Sequence, residues 1–393
     1  VVPDDMDVED FTAVQHPADD AGSDTVTTHF EYHCMEDNLL KLDMLGHDDP
    51  TMIKYMEDLT GVNARQIPLD DPDTMSIFIS SKVLGYENDE ILGPTGAVAI
   101  PEFNTRFTRQ MLVDTQPTNF NTLVRLSGFS HGTDVWLGNA RELIVSGTAT
   151  VLETVGCRDD IMLYLISMGL DPKMSFKIME AVRKGKVKKK GFEEGWEEAM
   201  REHNVPDWYI ESLAKIGYLF PKAHAVAYVT MAFRIAWFKV HEPLAFYATF
   251  FSIRAKAFDA EYCCAGLDAV KRKIREIENN KDATNVEQDL MVTLEVCYEF
   301  YLRGFHFDTI DIYKSDATHF LITENGLLPP FVSVHGLGEA AALATVEQRK
   351  GKDFISIEEF STTCNKLSKT HIEQLKALGA FAGMAETSQV SFF

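Results

Sequence analysis

A long run of helical periodicity, over residues 103–247, constrains the fold of this 393-residue chain more than any other feature. Apolar residues recur there at the spacing of amphipathic helices. Turn-forming or basic segments interrupt the pattern at residues 128–138, 156, 169–172, 184–191 and 221. With 45% hydrophobic residues the chain can bury a large core, and we predict an α+β, mainly α-helical protein of two to four domains.

The segments on either side of this run predict shorter elements. Residues 38–46 form an apolar run typical of a β-strand, and residues 51–59 favour an amphipathic helix. Asp71-Pro72 is a typical start for another short helix. After the long run, we predict helices over residues 261–278, 288–302 and 339–349, with short strands within residues 303–328.

Charge is distributed unevenly along the chain. Residues 1–90 hold 22 acidic and four basic residues, which account for −18 of the formal net charge of −23. Residues 183–190 contain six cations in eight positions, namely Arg183, Lys184, Lys186, Lys188, Lys189 and Lys190. Such a run suits binding of nucleic-acid phosphates, and a solvated basic loop explains the charge equally well.

Asp43 is the most unusual single residue, because it stands inside the apolar run of residues 38–46. An ionised carboxylate among leucines is costly unless a cation or hydrogen-bond donors meet it. It is therefore either an ordinary strand acid or one part of a larger metal or catalytic site.

Two glycine-containing segments hold residues that suit a ligand site. His131 lies on a segment, residues 127–139, that is typical of a functional loop; the alternative is a capped turn in which Thr133 or Asp134 starts the next helix. Arg158 stands at the start of an apolar helix, where free backbone N–H groups could help it to hold an anion. A local pair with a neighbouring aspartate is the alternative there.

A helix that begins after Pro221 places Lys222 at its start, with His224, Tyr228 and Met231 along one face. A cation, an imidazole and a phenol beside small alanines could bind a phosphate and a base, although the stripe could equally serve helix packing. Arg234 follows on the same helix as a weaker candidate.

The cysteines and the hydropathy bound the cellular setting. The six cysteines show neither C-x-x-C pairs nor a dense spacing, which favours a reduced, cytoplasmic location. The sequence contains no long apolar span, so we predict neither a membrane segment nor a membrane partner. The chain starts with valine, so we expect a piece of a longer protein.

Several long motifs follow one another along the chain: DFTAVQHPADD at residues 10–20, NLLKLDMLGHDDPT at 38–51, IPEFNTRFTRQML at 100–112, LSGFSHGTDVWLGNA at 126–140, GCRDDIM at 156–162 and FPKAHAVAYV at 220–229. In this order they closely resemble the C-terminal part of the C-family replicative DNA polymerases, specifically the PolC-type DNA polymerase III alpha chain of low-GC Gram-positive bacteria. The resemblance runs essentially from end to end.

The resemblance implies the end of a polymerase palm at residues 1–50, large helical fingers at 51–250, a duplex-binding region at 251–384 and a clamp-binding tail at 385–393. Asp43 matches the third of three palm aspartates that hold two Mg²⁺ ions, with Lys41 as a phosphate neighbour. The other two aspartates are expected upstream of Val1. By the same resemblance, His131, Arg158, Lys222, His224, Tyr228 and Arg234 contact the incoming deoxynucleoside triphosphate (dNTP).

Two C-terminal motifs imply further partners. Gly336 and Gly338 match the hairpin of a helix-hairpin-helix motif, at about residues 326–383, whose backbone amides approach a DNA phosphate; a simple helical hairpin is the alternative. Gln389, Ser391, Phe392 and Phe393 resemble the pentapeptide that docks on the β sliding clamp, although Val390 and Phe392 replace the usual leucines.

The function implied is template-directed nucleotidyl transfer from dNTP to a primer 3′-hydroxyl by two Mg²⁺ ions in the intact chain, with this piece inactive alone. The implied partners are primer–template DNA, dNTP, the sliding clamp and other replisome subunits. The alternative is a non-catalytic module that binds DNA and the sliding clamp.

Overall fold

The computed structural model describes residues 1–42, 44 and 46–387. The chain divides into two compact units, residues 1–47 and residues 48–393. Within the described ranges, no helix has both the length and the apolar character needed to cross a membrane.

The first unit is built mainly from turns. Its strands β1 (Val14–Gln15) and β2 (Thr27–Thr28) pair antiparallel. The strand predicted over residues 38–46 is wrong, because residues 38–42, 44 and 46 lie in no strand and the side chains of Leu40, Leu42 and Met44 are exposed. A strand needs neighbours that pair with its backbone, and the two strands described in this unit pair with each other.

The second unit begins with the helical run that the sequence predicts. Its helices are α1 (Asp48–Thr60), α2 (Pro72–Ser76), α3 (Arg106–Thr115), α4 (Phe120–His131), α5 (Arg141–Val145), α6 (Arg158–Ser167), α7 (Pro172–Arg183), α8 (Lys186–Lys190), α9 (Trp196–Glu202), α10 (Asp207–Lys215), α11 (Lys222–His241) and α12 (Pro243–Thr249). The predicted start at Asp71-Pro72 is confirmed: the Asp71 side chain accepts a hydrogen bond from the Thr74 N–H and caps α2.

The C-terminal part combines helices with a small sheet. Its helices are α13 (Ala260–Cys263), α14 (Leu267–Asn279), α15 (Asn285–Leu302), α16 (Glu339–Gln348), α17 (Ile357–Thr363) and α18 (Lys369–Ala377). Strand β5 (Gly326–Leu328) pairs parallel with β3 (His306–Phe307) and antiparallel with β4 (Leu321–Ile322). The single helix predicted over residues 261–278 is wrong, because Gly266 adopts φ 91° and separates α13 from α14.

Helix α11 is the longest helix described and packs against α1, α2, α4, α6 and α12. Its buried face includes Val229, Phe233 and Ala236. Near its C-terminus the Lys239 side chain is fully buried, and its Nζ atom donates to the carbonyl oxygens of Gly96 and Val98 at 2.8 and 2.6 Å.

The carboxylate that neutralises Lys239 comes from α15. Glu299 is also fully buried, and its Oε1 atom lies 2.7 Å from the Lys239 Nζ. Glu299 accepts further hydrogen bonds from the hydroxyls of Tyr86 and Tyr247. Burial lowers the pKa of Lys239 to about 8, although Glu299 opposes this effect. This buried network therefore ties α11 to α15 and to the segment around residues 96–98.

A separate cluster of buried apolar residues forms the core beneath the C-terminal helices. It includes Ile310, Phe331, Val334, Leu337 and Phe360. Because Val334 and Leu337 anchor both sides of the turn that precedes α16, the residues between them are held at the surface.

Candidate functional sites

The N-termini of α6 and α11 meet at one place, called here the α6–α11 junction. The backbone N–H of Arg158 donates to the carbonyl oxygen of Phe220 at 3.1 Å, and the N–H of Lys222 donates to the Asp159 carboxylate at 2.7 Å. Pro221 caps α11 with φ −71°, an angle that its ring favours. A helix N-terminus carries partial positive charge, so two that converge favour an anion.

Asp160 organises the junction from inside. Its carboxylate accepts hydrogen bonds from the N–H groups of Gly156 and Cys157 at 3.1 and 2.8 Å, and it pairs with the Arg125 guanidinium at 2.7 Å. The Lys222 Nζ lies 3.8 Å from the same carboxylate. The negative charge of Asp160 is thus met mainly by Arg125, which leaves the Lys222 ammonium partly available.

The local pair proposed as an alternative for Arg158 does not form. Asp159 accepts from Lys222 and Asp160 pairs with Arg125, so both neighbouring aspartates are already engaged. In the part of the chain that the structure describes, the Arg158 guanidinium makes no hydrogen bond or ion pair. This arrangement favours the anion-binding interpretation of Arg158.

Two glycines allow α4 to approach the start of α6 closely. A Cβ atom on Gly128 would lie 2.4 Å from the carbonyl oxygen of Gly156, and one on Gly156 would lie 2.5 Å from the Cδ of Arg125. The helix break predicted over residues 128–138 is present but begins after His131, so Gly128 lies inside α4. The glycine at this position is required by packing instead.

Four rings cluster beside the junction. The His131 ring lies 5.6 Å from Phe220 and 5.5 Å from His224, and the His224 ring lies 4.4 Å from Tyr228. Burial lowers the pKa of His224, and the neighbouring His131 contributes to the same effect. The structure therefore brings together His131, Lys222, His224 and Tyr228, four of the predicted nucleotide-binding residues.

The capped-turn alternative for the segment after His131 is wrong. The backbone of Thr133 pairs with Tyr218 in an isolated bridge, and Asp134 adopts φ 58° instead of capping a helix. The bridge joins the end of α4 to the segment that leads into α11, so it holds His131 near His224.

Glu102 belongs to this cluster although the sequence analysis does not select it. Its carboxylate lies 3.3 Å from the His131 Nε2 and accepts a hydrogen bond from the Ser127 hydroxyl at 3.2 Å. The Nδ1 of His131 lies 2.8 Å from the carbonyl oxygen of Ser127, so both ring nitrogens face acceptors. No local pattern marks Glu102, because its partners lie more than 20 residues away.

Arg234 is not part of the cluster. It lies ten residues after His224 on α11, which places it about 15 Å further along the helix. Its Nε atom is buried and has no hydrogen-bond partner within the described ranges. The predicted nucleotide contact of Arg234 therefore has no support from this geometry.

The basic segment, residues 183–190, is not the loop that the sequence predicts. Lys186–Lys190 form the short helix α8, which Val187 anchors in the core. Gly185 adopts φ 65° where a Cβ atom would lie 2.5 Å from the carbonyl oxygen of Gly217, so the segment is held tightly against the chain before α11.

Half of the cations in this segment are already paired. Arg183 and Lys184 bind Glu180, and Lys188 lies 2.6 Å from the Asp134 carboxylate. Lys186, Lys189 and Lys190 are exposed and form no ion pair with any described residue. These three lysines are the better candidates for phosphate contact.

The hairpin over residues 334–338 exposes backbone between two buried anchors. The Leu337 N–H donates to the carbonyl oxygen of Val334 at 3.0 Å, which closes the turn. Gly336 adopts φ 74°, whereas Gly338 has φ −76° and open space around its Cα. Among the described residues, the N–H groups of Gly336 and Gly338 have no acceptor, so both are free for a phosphate.

A second turn of the same kind, over residues 364–368, escapes the sequence analysis. The Leu367 N–H donates to the carbonyl oxygen of Cys364 at 3.0 Å, and α18 starts directly after Ser368. Both anchors are buried, while Lys366 is exposed between them. The shared signal is a buried residue, two exposed residues, a leucine and a helix cap.

Several predicted residues lie outside the described residues or in the first unit. Asp43 and the tail residues Gln389, Ser391, Phe392 and Phe393 lie outside the described residues. In the first unit, the Lys41 Nζ lies 5.4 Å from the centre of the Tyr32 ring. Its predicted role as a phosphate neighbour stays a prediction.

The described residues offer no ready metal centre. Within those ranges, no group of three or more His, Cys, Asp or Glu side chains is placed to hold a metal ion. The described residues do not by themselves fit two Mg²⁺ ions.

Comparisons with known proteins give two family-model matches and several similar proteins. Residues 49–204 match the family model of the bacterial DNA polymerase III alpha subunit finger domain, and residues 304–390 match a helix-hairpin-helix motif. The whole chain is 54% identical to a DNA polymerase III PolC-type from Caldanaerobacter subterraneus subsp. tengcongensis. It is 52% identical to proteins of the same description from Streptococcus mutans serotype c and Bacillus cereus. The chain spans 28, 27 and 27% of the lengths of these three relatives.

Proposed function

The chain belongs to the PolC-type DNA polymerase III family, and from this premise we propose that it forms part of a replicative DNA-directed DNA polymerase. In the intact polymerase the reaction is nucleotidyl transfer from dNTP to a primer 3′-hydroxyl. Residues 1–50 contribute the end of the palm, residues 51–250 the fingers and residues 251–384 the duplex-binding region.

The observation that carries this proposal is the α6–α11 junction. Beside its two helix N-termini, the Arg158 guanidinium, which has no partner among the described residues, and the partly available Lys222 ammonium suit the triphosphate of a dNTP. The adjacent rings of His224 and Tyr228 offer an apolar face for the nucleotide. A triphosphate is the ligand that would use both cations at once.

We assign duplex binding to the two turns at residues 334–338 and 364–368. The first offers the free N–H groups of Gly336 and Gly338, and the second presents Lys366. Contacts of this kind reach the phosphate backbone and carry no sequence information, as a replicative polymerase requires. Lys186, Lys189 and Lys190 add sequence-independent attraction to DNA.

The metal site requires residues beyond those described. Asp43 is proposed as one Mg²⁺ ligand, which acts with two aspartates outside this chain. Two such ions, if held by these aspartates, would stabilise the attacking and leaving oxygens. We expect the 393-residue chain alone to incorporate no nucleotide, and incorporation by the isolated chain would contradict this assignment.

A lysine substitution at the junction tests the proposed dNTP site. In the full-length polymerase, Lys222→Ala should raise the KM for dNTP roughly 10- to 100-fold, because a charge-assisted hydrogen bond to phosphate is worth about 1.5–3 kcal/mol. Primer–template affinity should stay unchanged. The matched control is Lys281→Ala, which removes an exposed lysine between α14 and α15.

Steady-state incorporation with varied dNTP, together with DNA binding by fluorescence anisotropy, separates the outcomes. An unchanged KM in Lys222→Ala would remove Lys222 from the dNTP site.

Loss of primer extension in Asp43→Asn with normal DNA binding would support the metal assignment, and preserved extension would refute it. Extension lost with DNA binding kept in the intact protein also distinguishes a polymerase from a simple binding module.

The tail is proposed to dock on the β sliding clamp. Deletion of residues 389–393 should reduce clamp-dependent synthesis and leave short primer extension unchanged, because Phe392 and Phe393 would enter an apolar pocket of the clamp. Equal loss of both activities would contradict the clamp assignment.

A further inference from the structure

Helix α7 presents an unusual outer face. Ile178, Met179 and Val182 lie in the core, whereas Phe176 is 51% exposed on the opposite side. Lys173 and Lys177 are exposed within one turn of Phe176, and Lys173, three residues before Phe176, shares its face of the helix. An aromatic ring between two cations differs from a singly scattered surface apolar residue, which needs no explanation.

The same face forms one wall of a surface groove of about 290 Å³. Phe176 and Lys177 line it from α7, and Lys184 and Lys186 line it from the segment that follows. Trp196, from α9, also lines the groove and is only 6% exposed. The groove thus combines an accessible aromatic ring with three lysines.

The lining of the groove carries more positive than negative side chains, namely three lysines and two glutamates. Hydrogen bonds from Arg183, with Lys184 close by, lower the pKa of Glu180 to about 2, so this carboxylate is ionised but neutralised by its partners. Lys177 and Lys186 form no ion pair with any residue in the described ranges, and Glu193 is the opposing acid in the lining. Anionic phosphates would meet a net positive rim.

We propose that this groove binds single-stranded DNA, with Phe176 stacking on an unpaired base and Lys177 and Lys186 contacting the flanking phosphates. This inference rests on the proposed polymerase function and identifies the occupant as the template strand before it enters the active site. Aromatic stacking with lysines beside it is the arrangement that binds single strands without sequence preference. A duplex keeps its bases paired and stacked internally, so it could not use Phe176.

Base stacking can be separated from charge with two oligonucleotides of equal length. One is a fluorescent oligo-dT, and the other carries abasic sites in the same phosphate backbone. We expect the 393-residue chain to bind oligo-dT about tenfold more tightly than the abasic strand. This tenfold difference lies within the roughly 5- to 150-fold change in affinity expected for one base–aromatic stack. Phe176→Ala should abolish it.

Phe107→Ala is the matched control, since Phe107 is 43% exposed on α3 and does not line the groove. It should leave both affinities unchanged. Lys177→Ala should weaken the two oligonucleotides equally and reduce the slope of log affinity against log salt by about 0.7. Glu193→Gln should strengthen both, because it removes a like charge from the path of the phosphates.

A duplex with blunt ends, measured with the same proteins, separates failure of this inference from failure of the proposed function. If the duplex binds and Phe176→Ala behaves as wild type on oligo-dT, the groove assignment is overturned while DNA binding stands. If neither duplex nor single strand binds, the proposed DNA-binding function fails as well. Since Phe176 is exposed, circular dichroism should show an unchanged fold in Phe176→Ala.

Discussion

The α6–α11 junction and the hairpin over residues 334–338 are both candidates for phosphate contact, but they are built in different ways. The junction depends on charged side chains, Arg125, Arg158 and Lys222, and on helices that lie far apart in sequence. The hairpin depends on the backbone of a single turn, held by Val334 and Leu337.

This difference predicts how each site responds to change elsewhere. The junction is positioned by the close contact of Gly128 with Gly156 and by the buried Lys239–Glu299 pair at the other end of α11. Substitutions at these distant positions should therefore disturb it. The hairpin should respond only to substitutions within its own turn or its own core.

The largest effect is expected from Lys239→Met. Removal of the ammonium leaves the Glu299 carboxylate fully buried without its cation, which should lower the free energy of unfolding by about 3–5 kcal/mol. Chemical denaturation of the 393-residue chain measures this loss, with Lys281→Met as the surface control. A loss below about 1 kcal/mol would show that the buried pair does not hold α11 in place.

Gly128→Ala tests the contact between α4 and α6. The added Cβ would lie 2.4 Å from the backbone oxygen of Gly156, which cannot rotate away, so we expect a loss of about 1–3 kcal/mol. The exposed Asn121→Ala on the same helix is the control. Denaturation and hydrogen exchange at Gly156 and Cys157 report the change, and equal stability of the two variants would contradict the tight contact.

The two hairpin glycines form a matched pair. Gly336→Ala places a side chain at φ 74° and should destabilise the chain by about 1–2 kcal/mol, whereas Gly338→Ala meets open space at φ −76° and should stay within about 0.5 kcal/mol of wild type.

Gly338→Ala should nevertheless weaken duplex binding, since its Cβ would separate the backbone from a phosphate. The KM for dNTP should not change in the full-length polymerase. Wild-type duplex affinity in this variant would show that the hairpin backbone does not contact DNA.

The smallest effect on stability is expected from protonation of His224. Burial lowers its pKa below 6.5, so the unfolded chain takes up a proton more readily than the folded chain as the pH falls. The contribution of His224 to the free energy of unfolding is complete above pH 6.5 and decreases below it. His224→Gln should reduce the fall in Tm between pH 7.5 and pH 5, and identical Tm profiles for variant and wild type would exclude this contribution.

Local chemistry made much of the fold predictable. Asp71 before Pro72 marks the start of α2, and the helical period over residues 103–247 corresponds to α3–α12. The hairpin at Gly336 and Gly338 is expected from the family resemblance, and a turn of this kind is determined by residues that are neighbours in sequence.

Long-range packing decided what the sequence pattern could not. The residues from 38 to 46 have strand-like composition, but composition cannot supply the partner strands. Arg125 meets Asp160 only when α4 packs against the start of α6, and Glu102 meets His131 only when the segment before α3 packs against α4, so neither had a local signal. Lys239 resembles an ordinary lysine until Glu299, 60 residues later, is placed beside it.

The length of α11 converts a small rotation at one end into a displacement at the other. Its buried anchor, Lys239, and its partly exposed start, Lys222, are separated by 17 residues, or about 25 Å of helix. A tilt of about 5° at the anchored end would displace the Lys222 end by about 2 Å, more than half the length of a hydrogen bond. The accuracy with which the junction presents the Lys222 ammonium is therefore set at the opposite end of α11, by the buried Lys239–Glu299 pair.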